Sequence, residues 1–439
     1  MNVFIKPLVC ISIFLLVCKS VTAQTDTIYI SMAQAEDFFL RQNLELIAER
    51  LNIDIAEAEI MQARLWPNPT FVFEDVNFWM TENQLEEGED GIVVPPLFGS
   101  QRFGRNTQFF IGIEQVILLG GKRRKLVDVE RVSRDIATLH FEELLRSLKV
   151  ELRNICAEML FLQEFRKVLE RQRTSLEALI ANQRNQVAQG NVSQSELMRL
   201  QASLLEVRSE INEMQREMNQ QQRELKVLLN ISEPVHIVIL ATERNTKSPT
   251  ALSFNNLIDL ADMHRPDLIE ARAQRRFYEK TLRYERSHRI PDIALNATFN
   301  RADNVVMNFV AFGVSMDLPI FDRNQGNIRA AKIGIKQSET LETHKQLEVF
   351  SEINEALQNY ILAYDFNRQI AEDFIFDLDE MLENYTRNFI HRNIGILEFL
   401  DFFEAYIENK RTILEAHRDI KISFEELQYA VGVELVNQL

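Results

Sequence analysis

Between Gly121 and Pro234 the chain has no proline and a single glycine, Gly190, and after Pro319 it has no proline at all. A stretch so free of helix breakers has few alternatives to helix. Residues from Lys122 to Val187 are predicted to form one helix of about 66 residues, about 100 Å long at 1.5 Å per residue. The chain then turns at Ala188-Gln189-Gly190-Asn191 and returns to about Leu229. Apolar residues recur at three and four spacing, as in Leu197, Leu200, Leu204 and Val207, with Glu, Arg and Gln between them. Such a stripe suits lateral packing in a coiled-coil-like wall. The 46% hydrophobic and 26% charged residues exclude a disordered chain. The 65 Asp and Glu against 49 Lys and Arg give a net charge of −16, which repels phosphate backbones and sets nucleic acid aside as a partner.

The same plan occurs twice. Asn43-Leu44-Glu45-Leu46 aligns with Arg265-Pro266-Asp267-Leu268 at a shift of 222 residues, which also carries Pro69 onto Pro291. Further on, Gly190-Asn191-Val192-Ser193 aligns with Arg392-Asn393-Ile394-Gly395 at a shift of 202. The residues lost in the second copy fall just after the prolines, where the first copy has a longer loop holding Gly88, Gly91, Gly99 and Gly104. The division expected is 24–231 and 232–439. Each part holds a β-hairpin, at about 69–118 and 292–319, and a long helical hairpin, at about 122–229 and 326–427. The second is read like the first, as a helix unbroken from near Gly326 to the turn at Asn393-Ile394-Gly395.

The hairpins are read from alternation with period two. Phe71 and Phe73 stand before the loop, and after it Phe109, Ile111 and Ile113 are set against Gln108, Gly112 and Glu114. In the second copy Ile293, Leu295, Ala297 and Phe299 oppose Asn296, Thr298 and Asn300, and Val310, Phe312 and Val314 follow. Strands of about ten residues can cross a bilayer tilted, with apolar side chains to lipid and polar ones to a lumen. Four strands cannot close alone, and lipid does not tolerate unpaired edges, so several chains must share a barrel. A trimer would supply twelve strands. Trp79 and neighbouring aromatics fit an interfacial girdle. The alternative is a soluble protein whose sheet has one face on a helical layer.

Lys6, the apolar run Leu8–Val17 and Val21-Thr22-Ala23 form a secretory signal peptide, residues 1–23. The alternative is a lipoprotein leader with Cys18 lipidated, although Val17 stands where a small residue is normally found. Cys10 and Cys18 leave with a leader cut after Ala23, so Cys156 has no disulfide partner and is expected to be a small buried helix residue. The seven histidines are scattered, His391 alone lying near a working region, and no zinc or copper site, cofactor or catalytic constellation is legible. Asp317 and Asp322 lack the accompanying base or nucleophile of an enzyme site.

Together these features resemble the TolC family of outer-membrane efflux proteins. The resemblance rests on the leader, the duplicated plan, Trp66-Pro67-Asn68-Pro69 before the first strand and Gly120-Gly121-Lys122-Arg123 after the second. It also rests on Leu318-Pro319-Ile320-Phe321 and on Gly190-Asn191-Val192-Ser193 followed by Glu196-Leu197. Through Gly120–Lys125 and Ile396-Leu397-Glu398-Phe399-Leu400-Asp401 it is similar to the branch serving heavy-metal pumps of the cobalt-zinc-cadmium and copper-silver type. The resemblance implies a mainly helical fold and a homotrimer: a 12-stranded barrel in the outer membrane of a Gram-negative bacterium and a periplasmic α-barrel. It implies a passive duct, not an enzyme, serving a periplasmic adaptor and an inner-membrane resistance-nodulation-division transporter. The residues implied at the hairpin tips facing the adaptor are Gly190, Asn191, Val192, Ser193, Asn393, Ile394 and Gly395. Glu398 and Asp401 match a family constriction, and acids three apart do share a helical face. The alternative for that pair is two solvated acids near a helix start. Export of drugs or of a polypeptide, or a periplasmic coiled-coil structural or adaptor protein, are the alternative functions.

Overall fold

The structure, a computed structural model, describes residues 26–77, 108–241, 248–302 and 307–435. The leader with Cys18 and the loop with Trp79 lie outside these residues. The first copy runs β1 (Thr27–Ser31), α1 (Met32–Gln42), α2 (Leu44–Ala63), β2 (Thr70–Asn77), β3 (Gln108–Ile117), α3 (Lys122–Ala188) and α4 (Gln194–Leu228). The second runs β4 (His236–Leu240), α5 (Phe254–His264), α6 (Pro266–Ser287), β5 (Ile293–Ala302), β6 (Met307–Met316), α7 (Gln325–Gln369), α8 (Glu372–Ile390) and α9 (Ile396–Val431). The fold is mainly helical with a small β part, and α3 alone has 67 residues. Among the described residues no helix is long and apolar enough to cross a membrane.

Two departures from the sequence reading stand out. The helix expected to run unbroken from Gly326 to the second tip is interrupted at Ile370 and Ala371, whose backbones are extended (φ −78°, ψ 104° and φ −73°, ψ 135°). Neither residue breaks helices by type; Ile370 is instead half-buried against the main core, where tertiary packing overrides propensity. The second departure is the parallel pair β1–β4, in register from Thr27↔His236 to Ser31↔Leu240, which the sequence reading did not include. The second edge of β4 is covered by two glutamines acting as a strand would. Gln163 accepts from Ile239 N at 3.0 Å and donates to its carbonyl at 3.1 Å, and Gln222 does the same for Ile237.

The helices form one layer. Near the four-stranded sheet the neighbours are α2, α3, α6 and α7; farther out they are α4, α3 and α9, with α9 also packed on α7 and α8. Repeat-equivalent pins hold the two levels together. Buried Asn43 accepts from Leu46 N at 2.9 Å, capping α2, and donates to the Leu228 carbonyl at the end of α4 at 3.0 Å. Arg265, 222 positions on, precedes α6 and donates to the Ala430 carbonyl, 202 positions beyond Leu228, at 2.8 Å. The turns beyond those carbonyls match too, with Asn230 (φ 53°) and Gly432 (φ 89°) both left-handed. Gly432 is required there because a Cβ would stand 2.9 Å from Arg265 Cγ.

The main core follows α3 through Leu152, Cys156, Met159, Phe165, Leu169 and Leu176 to Leu200 and Leu225 of α4 and Phe399 and Phe403 of α9. Cys156 is fully buried, and burial pushes its thiol up to about 12. At the end of this core Arg153, 4% exposed, joins three elements: its guanidinium meets Glu36, Glu425 and Glu434, each at 2.7 Å. Arg153→Met is expected to lower stability by about 3–5 kcal/mol, because it leaves carboxylates buried without their cation. Hydrogen bonds from Lys149 and Arg153 hold Glu434 down to about 2, from an ordinary 4.5. A depressed carboxylate stabilises above its unfolded pKa and loses that contribution as pH falls through the folded one. The melting temperature is therefore expected to fall between about pH 4.5 and 2, with Glu434→Gln flattening that limb; parallel curves would refute the assignment.

Candidate functional site

Antiparallel pairing joins the two hairpins through β3–β5, giving the sheet order β2-β3-β5-β6. Registers Phe71↔Ile113↔Ala297↔Phe312 and Phe73↔Ile111↔Phe299↔Val310 put apolar side chains in unbroken rows across all four strands. The next rows, Gln115↔Leu295↔Val314 and Ile117↔Ile293↔Met316, add one polar residue, Gln115, whose amide donates to the Pro67 carbonyl at 2.9 Å. This face is open: Phe71 is 65% exposed and Phe312 85%. The opposite face reads Thr70↔Glu114↔Asn296↔Gly313 and Val72↔Gly112↔Thr298↔Ala311. Asn296 lies across Gly313, where a Cβ would collide with its side chain. The outer edges of β2 and β6 have no strand partner among the described residues.

The start of β2, the end of β3, the start of β5 and the end of β6 share one end of the sheet, as Thr70↔Glu114 and Ile117↔Ile293↔Met316 require. Both long helical hairpins therefore leave from that end. Asp292 fastens the junction, accepting from Leu119 N at 2.9 Å and from buried Lys122 Nζ at 2.7 Å.

At the far end the tips are built alike. After α3, Gly190 (φ 75°) takes the left-handed position, with Gly190 N on Val187 O at 2.9 Å and Asn191 N on Gln186 O at 2.9 Å. After α8, Arg392 (φ 63°) does the same with Phe389 O and Asn388 O. This closure satisfies the helix's last carbonyls. Ser193 caps α4, accepting from Glu196 N at 3.3 Å, whereas Gly395 opens α9 with no side-chain cap. Val192 and Ile394 are half-buried, Ile394 against the main core. The tips touch through Arg392, which donates to Gln186 Oε1 at 3.1 Å.

Aromatic stacks of Phe389 on Phe399 (4.8 Å) and Tyr385 on Phe402 (4.2 Å) fix the rotation of α9 against α8. Asp379 adds to this, accepting from Tyr406 Oη and Lys410 Nζ at 2.8 Å. With Phe399, Phe403 and Tyr406 turned inward, Glu398 and Asp401 are exposed on the other side of α9. Glu404 and Glu408, absent from the sequence reading, extend that acidic row; their spacing of three, then four, was its available signal. Helix α8 bears another exposed row, Asp377, Glu380 and Glu383. His391 ends α8 in the open, and Asp322 accepts from Asn324 N in a turn contact. Among the described residues no group of three or more His, Cys, Asp or Glu could hold a metal ion.

A valine at Gly190 would put a β-branched residue at positive φ, costing about 1–2 kcal/mol. Gly190→Val is expected to speed amide exchange at Gly190 and Asn191 by about 5–30-fold, while Arg392→Gly leaves its turn intact; equal protection in both would refute this reading of the tips.

Comparison with known proteins places this geometry. The family model described as outer membrane efflux protein matches residues 38–230 and 257–433. No curated protein matches the sequence significantly. Among solved structures, CusC, described with transmembrane channel formation, is similar at 18% identity and TM-score 0.72, covering 92% of each chain. The CmeC outer membrane channel of Campylobacter jejuni is similar at 16% identity and TM-score 0.73, covering 91% of this chain and 85% of that one. The open state of the MtrE outer membrane channel of Neisseria gonorrhoeae gives 16%, TM-score 0.67 and coverage of 92% and 89%. At these identities the likeness is one of fold.

Proposed function

Because the chain belongs to the outer membrane efflux protein family, we propose that three copies form the exit duct of a tripartite efflux pump. Their sheets close into a 12-stranded barrel in the outer membrane of a Gram-negative bacterium, and their helical layers into a tube in the periplasm. The carrying observation is the four-stranded sheet with an open apolar face and, among the described residues, two outer edges without a strand partner, features that closure in lipid satisfies together. The helical layer supports it with exposed apolar residues on both lateral edges, Leu44, Leu51 and Ile55 on α2 and Leu341, Leu347 and Leu362 on α7.

In this reading the tips, Gly190 to Ser193 and Asn393 to Gly395, dock on a periplasmic adaptor that links the duct to an inner-membrane transporter of the resistance-nodulation-division class. That transporter supplies the energy, and the duct itself is passive. Exposed Met198 and Leu397 beside the tips give such a partner apolar anchors. Glu398 and Asp401 line the aperture, three copies bringing six carboxylates toward one axis, and such a ring attracts cations. Heavy-metal cations are the proposed cargo, supported by the acidic rows on α8 and α9.

Replacing Glu398 and Asp401 with Ala is expected to raise resting conductance and reduce cation over anion selectivity in planar bilayers. Unchanged currents would refute the aperture assignment while leaving the duct. A deletion strain sensitive to zinc, cobalt, cadmium, copper or silver ions would fit the cargo; sensitivity to organic compounds alone would contradict it.

A further inference from the structure

Resting on the outer-membrane reading, we infer that the sheet–helix junction is a binding band for anionic phospholipid headgroups. The junction is a built level of the molecule. Besides the Asp292 fastening, Asn324 Nδ2 donates to the Glu285 carbonyl at 3.0 Å, and a Cβ on Gly120 would meet Ile290 and Ser287. Apolar side chains emerge there into solvent: Trp66, Leu318, Ile320 and Phe321, the last 92% exposed. Leu318 and Ile320 follow directly on the end of β6 at Met316, in a tight turn where Ile320 N donates to the Leu318 carbonyl at 2.8 Å, so they lie beside the sheet's apolar face.

Arginines stand among them. Arg64, Arg124, Arg286, Arg289 and Arg323 are exposed, and none has a carboxylate at ion-pair distance among the described residues. Elsewhere in the helical layer Arg146, Arg153, Arg265, Arg272 and Arg418 are held by acids, while others such as Arg171, Arg184 and Arg199 are exposed, so the junction is set apart by its surplus of arginines over acids. A sixth junction arginine, Arg123, lies 3.9 Å over the Trp66 ring. Of the acids at this level, Asp292 is taken by Lys122 and Glu285 by Asn324, leaving Asp317 and Asp322 exposed. A chain of net charge −16 thus carries a basic surplus at one level only a few residues from its apolar face. Guanidinium forks without a carboxylate partner match phosphate oxygens in pairs; Arg323 gives only its Nε, to the Ile320 carbonyl at 3.1 Å, and apolar neighbours hold the level at the rim of the hydrocarbon. A zwitterionic headgroup brings its own ammonium to its phosphate, so an anionic headgroup is favoured.

The full-length protein is reconstituted in vesicles of phosphatidylethanolamine and phosphatidylglycerol in equal parts, re-extracted in mild detergent, and its retained lipids counted by mass spectrometry. Wild type is expected to retain phosphatidylglycerol over phosphatidylethanolamine by about fivefold. Arg64→Gln/Arg289→Gln/Arg323→Gln is expected to insert and conduct normally with retention near parity. Equal retention by wild type, or undiminished selectivity in the variant, would overturn the band while sparing the duct. If wild type floated with no vesicle, the outer-membrane reading would fail and the band with it. If the variant alone failed to insert, wild-type retention in 0.5 M salt would decide: selectivity lost by screening supports the band, and unchanged selectivity overturns it.

Discussion

Backbone amides and carbonyls along the outer edges of β2 and β6 have no partner in the described chain, and the sheet they bound shows a wide apolar face to its surroundings. In water that arrangement invites aggregation, and in lipid an unpaired edge costs several kcal/mol per group. Much of the remaining architecture answers to it. The continuous register through β3–β5 makes one sheet of two hairpins, so each copy has only two edges to close. The single helical layer, with α2 and α4 at one side and α7 and α8 at the other, repeats the same open design in helix.

Duplication explains how so long a layer is held in register. Asn43 and Arg265 occupy one position of the plan and reach the same carbonyl of the returning helix, one by a short amide and the other by a guanidinium. Asn230 and Gly432, like Gly190 and Arg392, take the same left-handed turn with different side chains. Geometry was kept while chemistry drifted, and the added chemistry is where the copies differ in role. Arg265 also binds Asp267 and Glu352 at 2.6 Å, and Arg392 ties the second tip to the first.

Much of this was legible in the sequence because it depends on local signals. The lack of Pro and Gly from Lys122 to Gln189 gives α3, and alternation, interrupted by Val72, Phe110 and Phe309, gives the hairpins and the apolar rows. What was not legible depends on contacts distant in sequence. The break at Ile370 comes from packing on a core made by other helices, and β1 and β4 are five residues each, joined across about 200 positions. The clasp at Arg153 joins Glu36 to Glu425 and Glu434, from opposite ends of the chain. Of the tips, the turn residues were visible and their mutual contact was not. Of the acidic row, Glu398 and Asp401 were singled out by resemblance, whereas their exposure follows from aromatic stacking that only the fold reveals.

Native mass spectrometry of the detergent-extracted protein tests the central claim most directly, because edge closure demands that several copies share one barrel. The account requires a trimer that persists on dilution and remains with the membrane fraction until detergent is added. A monomer that is soluble without detergent would contradict it, for its apolar sheet and open edges would then have no lipid and no second copy to satisfy them.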